Sequence, residues 1–210
     1  MAIKRQLRQL LRPLLRRLPV VGARWDPVGR RRWLLAKMPR GSTGAEIGVW
    51  KGDLSARILA VVRPKRLYLI DPWRKAERDT VRFMDTQSAG DQTYMDSVHD
   101  SVVNRFNAAI SRGVVVVHRA RSQDAATKIP TDSLDWAYID GDHTYEAVLA
   151  DLHAYADKVR PGGFLAGDDY AQGGRYRGGV KRAVDEFVGS GEYRLVLIRA
   201  RQFILERKSG

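Results

Sequence analysis

Two rhythms of apolar residues run along the chain. In residues 3–18, Leu7, Leu10, Leu11, Leu14, Leu15 and Leu18 recur three and four apart and share one face of a predicted amphipathic helix. Arg5, Arg8, Arg12 and Arg16 lie elsewhere around it; Pro13 is placed to kink it and Pro19 to end it. Residues 20–43 read as a connector with a short helix near Arg30–Met38. From Gly44 the rhythm changes. Short apolar runs predict strands at Ala45–Val49, Arg66–Ile70, Val114–His118, Leu134–Ile139 and Phe164–Gly167. Between and after them, helical spacing predicts helices at Asp53–Val62, Asp96–Ser111, Thr144–Val159 and Val180–Val188. Residues 74–95 are polar and irregular, and Pro161–Gly163 reads as a turn. Tyr193–Ile198 and Gln202–Glu206 close the chain as a hairpin. Such alternation predicts an α/β fold: a doubly wound, mostly parallel seven-stranded sheet with helices on both faces and a C-terminal antiparallel hairpin. The expected division is a basic helical extension over 1–43 and one domain over 44–210.

Composition narrows this picture. The 210 residues suit a single domain with a modest extension, and there is no cysteine. Disulfides, thiolate metal sites and a cysteine nucleophile are therefore excluded, which fits a cytoplasmic protein. The formal net charge is +13, but residues 1–41 carry twelve Lys or Arg against one acid, Asp26, and the remainder carries 25 basic and 23 acidic side chains. The basicity belongs to the extension, so a nucleic-acid partner is not expected of the domain itself. The leucine face of the extension is expected to pack on the domain or on a second subunit, as in a homodimer. The alternative is peripheral docking on an anionic membrane surface. No apolar run reaches the roughly 18–20 residues needed to cross a bilayer.

Chemistry is concentrated at the ends of the predicted strands, where open α/β sheets bind ligands. Glu46-Ile-Gly48-Val-Trp-Lys-Gly52 follows a strand and opens a helix. Gly48 and Gly52 permit a tight turn and close approach to a ligand. Glu46 suits an ammonium group, and Ser55 is placed to bond a carboxylate near a helix N-terminus. Asp71, at the end of the second strand, suits a ribose diol. Ser122 and Gln123 follow the third strand and suit the edge of an adenine, or a helix cap. Asp140-Gly-Asp-His143 and Gly167-Asp-Asp169-Tyr170 end two further strands. Should those strands be neighbours, Asp140, Asp168 and Asp169 converge, and their mutual repulsion calls for a hard divalent cation such as magnesium. His143, three residues beyond Asp140, is a candidate base for an acceptor hydroxyl. His99, His118 and His153 lack such company. Tyr94, Tyr170, Arg175 and Tyr176 are candidates to touch an acceptor.

Together these residues resemble class I S-adenosylmethionine methyltransferases, with their Rossmann-like sheet, over roughly residues 44–207. Tyr138-Ile-Asp-Gly-Asp-His-Thr-Tyr-Glu146 with Gly167-Asp-Asp-Tyr170 is similar to the metal-dependent macrocin O-methyltransferase group, and more distantly to catechol O-methyltransferase. The resemblance implies that Glu46, Gly48, Gly52, Ser55, Asp71, Ser122, Gln123 and Asp140 surround S-adenosylmethionine. It also implies that Asp140, Asp168 and Asp169 hold Mg2+, with His143 as general base beside Asp140. The implied acceptor is a hydroxyl of a sugar or other small molecule. The Arg-rich composition and small size are also similar to actinobacterial enzymes of methylmannose polysaccharide synthesis, which points to a mannoside. Two rival expectations stand beside it: a nucleic-acid methyltransferase, and a metal-dependent hydroxylase-like relative on the same fold.

Overall fold

The structure is a computed structural model and describes residues 31–75, 91–173 and 178–209. The amphipathic helix expected over 3–18, and the acceptor candidates Arg175 and Tyr176, lie outside the described residues. The chain divides into two compact units, residues 1–37 and 38–210. In the first, the described residues hold a four-residue helix, α1 (Arg32–Leu35).

The second unit follows the strand–helix alternation of the sequence. Its elements are β1 (Thr43–Ile47), α2 (Asp53–Val61), β2 (Arg66–Asp71), α3 (Gln92–Ser111), β3 (Val115–Arg119), α4 (Ser122–Ala126) and β4 (Leu134–Ile139). After these come α5 (Tyr145–Ala156), β5 (Val159–Gly167), α6 (Gly179–Gly189), β6 (Tyr193–Arg199) and β7 (Gln202–Arg207). The seven strands form one sheet in the order β3-β2-β1-β4-β5-β7-β6. The first five run parallel, and β7 pairs antiparallel with both β5 and β6. The expected doubly wound sheet with a closing hairpin is what the chain forms.

The inner strands β1, β2 and β4 are buried almost throughout, as parallel strands covered on both faces must be. One face carries Ala45, Ile47, Tyr68, Ile70, Ala137, Ile139 and Leu165 and packs with residues of α5 and α6 such as Leu152, Tyr155, Val184 and Phe187. The opposite parity puts Glu46, Leu69 and Tyr138 side by side across the pleat. Trp136 belongs to this second set. Its indole N–H donates to the Ser42 hydroxyl at 2.8 Å, and its ring lies where a side chain on Gly44 would stand.

Three of the differences from the sequence reading have a local reason. Helix α3 begins at Gln92, because the Asp91 carboxylate caps it by accepting from the Thr93 N–H. Strand β5 begins at Val159: the Pro161–Gly163 turn is absorbed as an irregularity in its pairing with β4, between Leu134 and Trp136. The short helix α4 starts at Ser122 with Arg121 as its cap residue, so the Ser122 hydroxyl is not a helix cap.

A Cβ on Gly44 would stand 2.2 Å from the Trp136 ring. Gly44→Ala is therefore expected to destabilise the domain by about 1–3 kcal/mol through overpacking and to lower Tm by roughly 2–10 °C. An unchanged melting curve would refute this account of how β1 seats Trp136.

Candidate active site

Register sets the site. Ile47 pairs with Ile70 on one side and Ile139 on the other, and Ile139 pairs with Gly167. The next residue on each strand therefore falls in one row across the carboxyl edge: Asp71, Gly48, Asp140 and Asp168. Neighbouring strands lie about 4.8 Å apart, so this row spans a length suited to a nucleoside with an amino-acid tail.

Gly48 follows β1 with φ +89°, and a Cβ there would meet the Asp140 carbonyl oxygen at 2.3 Å. The glycine thus permits close approach of the loop after β1 to the end of β4. Gly52, at φ +75°, caps α2 from the left-handed region and leaves room for the Phe106 ring. Between them Trp50 holds φ +52°, an unusual conformation for a bulky residue. Asp71 holds it there. One carboxylate oxygen of Asp71 accepts from the Val49 and Trp50 N–H groups at 3.0 and 2.9 Å, and the other accepts from the Trp73 N–H at 2.7 Å. Burial pushes the Asp71 carboxyl up against the pull of those three bonds. A carboxylate offers about four acceptor positions, so the described bonds leave room for about one more. Trp73 is fully buried and donates its indole N–H to the Trp50 carbonyl at 3.0 Å, which ties it to the glycine loop.

Glu46 and Ser55 are brought together. The Ser55 hydroxyl donates to Glu46 at 2.6 Å, and both side chains are buried between β1 and α2. On the other flank of the sheet, the Ser122 hydroxyl and the Gln123 amide both donate to one oxygen of Asp151 on α5, the amide at 2.8 Å. The sequence reading missed Asp151, because it sits mid-helix among apolar residues with no motif around it.

At the ends of β4 and β5, the His143 Nε2 lies 3.4 Å from Asp140 and 3.3 Å from Asp169. Burial alone would lower its pKa. The hydrogen bond to Asp140 and the negative charges of Asp140, Asp169 and Asp168 outweigh that, so the net shift is upward. Asp168 is buried and accepts from the Asp169 N–H at 2.9 Å. Asp169 holds φ +60° and pairs with Arg201 at 2.7 Å. Arg201 was also missed. It sits in the turn between β6 and β7, where Ala200 and Arg201 both have positive φ without the usual Asn-Gly pair. Its carbonyl accepts from the Tyr170 N–H at 2.7 Å, so the hairpin tip is stitched to the loop after β5.

The donor chemistry of Asp140, Asp168 and Asp169 suits a hard cation. Among the described residues, however, no three acidic or histidine side chains stand gathered as a ready metal-binding group. Arg201 holds one of the candidates. Of the acceptor candidates, Tyr170 donates its hydroxyl to Asp185 on α6 at 2.6 Å, while the half-buried Tyr94 lies in the first turn of α3 near the Trp50 ring. The remaining histidines pack on aromatic rings: His99 on Trp73, His118 on Tyr68 and His153 on Phe187.

Comparison with known proteins agrees with this geometry. No curated protein sequence matches the chain. Among solved structures, a candidate caffeoyl-CoA O-methyltransferase from Staphylococcus aureus superposes with TM-score 0.61 at 11% identity, covering 100% of both chains. The O-methyltransferase NovP superposes with TM-score 0.57 at 20% identity over 87% of this chain and 76% of its own. A SAM-dependent methyltransferase from Aquifex aeolicus gives 0.55 at 13% identity over 87% and 89%. At such identities the likeness speaks for the fold alone. No helix among the described residues is long and apolar enough to cross a membrane. Residues 45–170, well over half of the chain, match the sequence profile of a methyltransferase-domain family and contain the glycine loop, Asp71, Ser122, Gln123, Asp140, His143 and Asp168 to Tyr170. The chain thus belongs to that family and is an S-adenosylmethionine-dependent methyltransferase.

Proposed function

We propose that the enzyme methylates a hydroxyl oxygen of a sugar, with a mannoside as the first candidate, or of another small molecule. The observation that carries this reading is His143, whose Nε2 lies within 3.4 Å of carboxylates from the ends of both β4 and β5. An amine acceptor needs no such base once it is neutral, whereas an alcohol must lose a proton as it attacks. Asp140-Gly-Asp-His143 also stands where nucleic-acid amino methyltransferases usually carry an Asn/Asp-Pro-Pro-aromatic run.

Donor binding follows from the row of strand ends. Asp71 has room to accept from a ribose hydroxyl while it holds the glycine loop in shape. Glu46, kept in place by Ser55, supplies negative charge toward an ammonium, and Ser122 with Gln123 meets the adenine edge. Asp140, Asp168 and Asp169 are the residues that would hold Mg2+. That ion supplies charge compensation and lowers the pKa of the acceptor hydroxyl. For Asp169 to serve in this way it must exchange Arg201 for the cation.

In the transfer step the acceptor oxygen forms its bond to the methyl carbon as the sulfur–methyl bond breaks. The sulfonium leaves as a neutral thioether, and the hydroxyl proton passes to the neutral His143 imidazole, at a ring nitrogen that carries no hydrogen and is not donating to Asp140 or Asp169. The methyl group is already activated, so the residues of this chain mainly align the two reactants and exclude water.

Four outcomes test the reading. With unlabelled S-adenosylmethionine and a panel of saccharides, product mass should rise by about 14 Da per methyl transferred; a rise of about 16 Da would mean oxygen insertion and refute methyl transfer. EDTA should abolish turnover and Mg2+ restore it, and full activity in chelator would exclude the cation. His143→Ala should lower kcat by roughly 10²–10⁴ and leave donor affinity unchanged, whereas wild-type turnover would show that another group takes the proton. Asp71→Ala should weaken donor binding in calorimetry by about tenfold or more, since it removes both a ribose contact and three bonds to the loop.

A further inference from the structure

One buried carboxylate is used by none of these steps. Asp151, 4% exposed on α5, has as its described partners the Ser122 hydroxyl and the Gln123 amide, not a cation. From α4 it faces only these two groups, neither of which titrates. From the turn after β4 it faces the Asp142 carboxylate, and the backbone of Gly141 lies close by. From its own helix it faces Tyr155, whose hydroxyl donates to the Ser122 carbonyl at 3.0 Å and whose phenol burial pushes further up. A buried acid without a cation is costly, and such costs are tolerated chiefly where they serve a site.

An ionised carboxylate only accepts hydrogen bonds. Gln123 must therefore turn its NH2 toward Asp151 and its carbonyl away. Ser122 likewise commits its only hydrogen and keeps only lone pairs to offer. Gln123 is exposed, so its outward carbonyl is what an approaching ligand meets. We propose that Asp151 is a specificity-determining positioning residue: it fixes Ser122 and Gln123 as acceptors and thereby selects a purine with a 6-amino group over one with a 6-oxo group. This rests on the reading of Ser122 and Gln123 as the adenine contacts. An amino group donates to the Gln123 carbonyl. A 6-oxo group would oppose it oxygen to oxygen, and a site built for one partner rejects the mismatched one strongly.

The same arrangement makes the selection depend on pH. Burial first, then the charge of Asp142, pushes the Asp151 carboxyl up to about 6, while the bond from Ser122 pulls the other way. Once protonated, Asp151 can donate to the amide carbonyl, and Gln123 is free to turn its NH2 outward. Selection is thus half lost near pH 6, full well above it and weak well below it. Stability carries the opposite mark. The folded chain holds this proton more tightly than an unfolded carboxyl of ordinary value 3.8, so a destabilising contribution grows as pH rises toward 6 and is full above it.

The test is calorimetry on the full chain with S-adenosylhomocysteine and its deaminated analogue S-inosylhomocysteine. The wild type should prefer the adenosyl compound by about tenfold or more at pH 7.5 and by clearly less at pH 5. Asp151→Asn keeps the shape but can face Gln123 with either end of its amide. It should bring the two affinities within about threefold at both pH values and should raise Tm at pH 7.5 but not at pH 4. Wild-type discrimination in Asp151→Asn would overturn the proposal. So would a wild-type preference that stays flat from pH 5 to 8, a measurement that needs no variant. Gln123→Ala separates the two layers: unchanged affinity for both compounds would refute the adenine placement itself, whereas weakened adenosyl binding with discrimination intact in Asp151→Asn would refute only the role of Asp151.

Discussion

The site depends on one constraint, the shared register of β2, β1, β4 and β5. Because Ile70, Ile47, Ile139 and Gly167 stand in one row, every strand turns out of the sheet at the same level. Polar backbone and side chains that would be intolerable a residue earlier, inside the core, are brought to one edge. A slip of one residue on any of these strands would send its terminal side chain to the opposite face. Gly48 guards that register at its tightest point, where no side chain fits between the loop after β1 and the Asp140 carbonyl.

Around this edge the chain solves a charge problem in different ways. Asp71 is buried but answered by three backbone N–H groups, so its charge also shapes the glycine loop. Asp140 and Asp169 share His143, and Asp169 has Arg201 as well. Among the described residues, Asp151 is met by neutral donors alone. On the proposed reading, the three solutions match three tasks: holding a loop, gathering positive charge at the reacting centre, and orienting dipoles toward a ligand.

The strand–helix alternation was legible from the sequence because short β-branched runs and helical spacing report burial locally. The motifs at strand ends were legible because glycine and clustered acids are rare in that company. Three features were not. The start of α3 depended on a single capping aspartate, Asp91. The Pro161–Gly163 turn was a correct local signal that pairing with β4 absorbed into a longer strand. Ser122 and Gln123 were recognised as polar groups near a strand end, but their orientation is set by a residue 28 or 29 positions later.

The sequence by itself determined that the chain folds as a doubly wound sheet, and which residues are chemically equipped to meet a donor and an acceptor. Both follow from properties each residue carries alone: hydrophobicity, backbone freedom and ionisable groups. Only the tertiary structure decided the partners, namely Ser55 with Glu46, Arg201 with Asp169 and Asp151 with Ser122 and Gln123. Hydrogen bonds and ion pairs act over a few ångströms in space and are indifferent to distance along the chain. They become visible only once strand register has brought remote segments together.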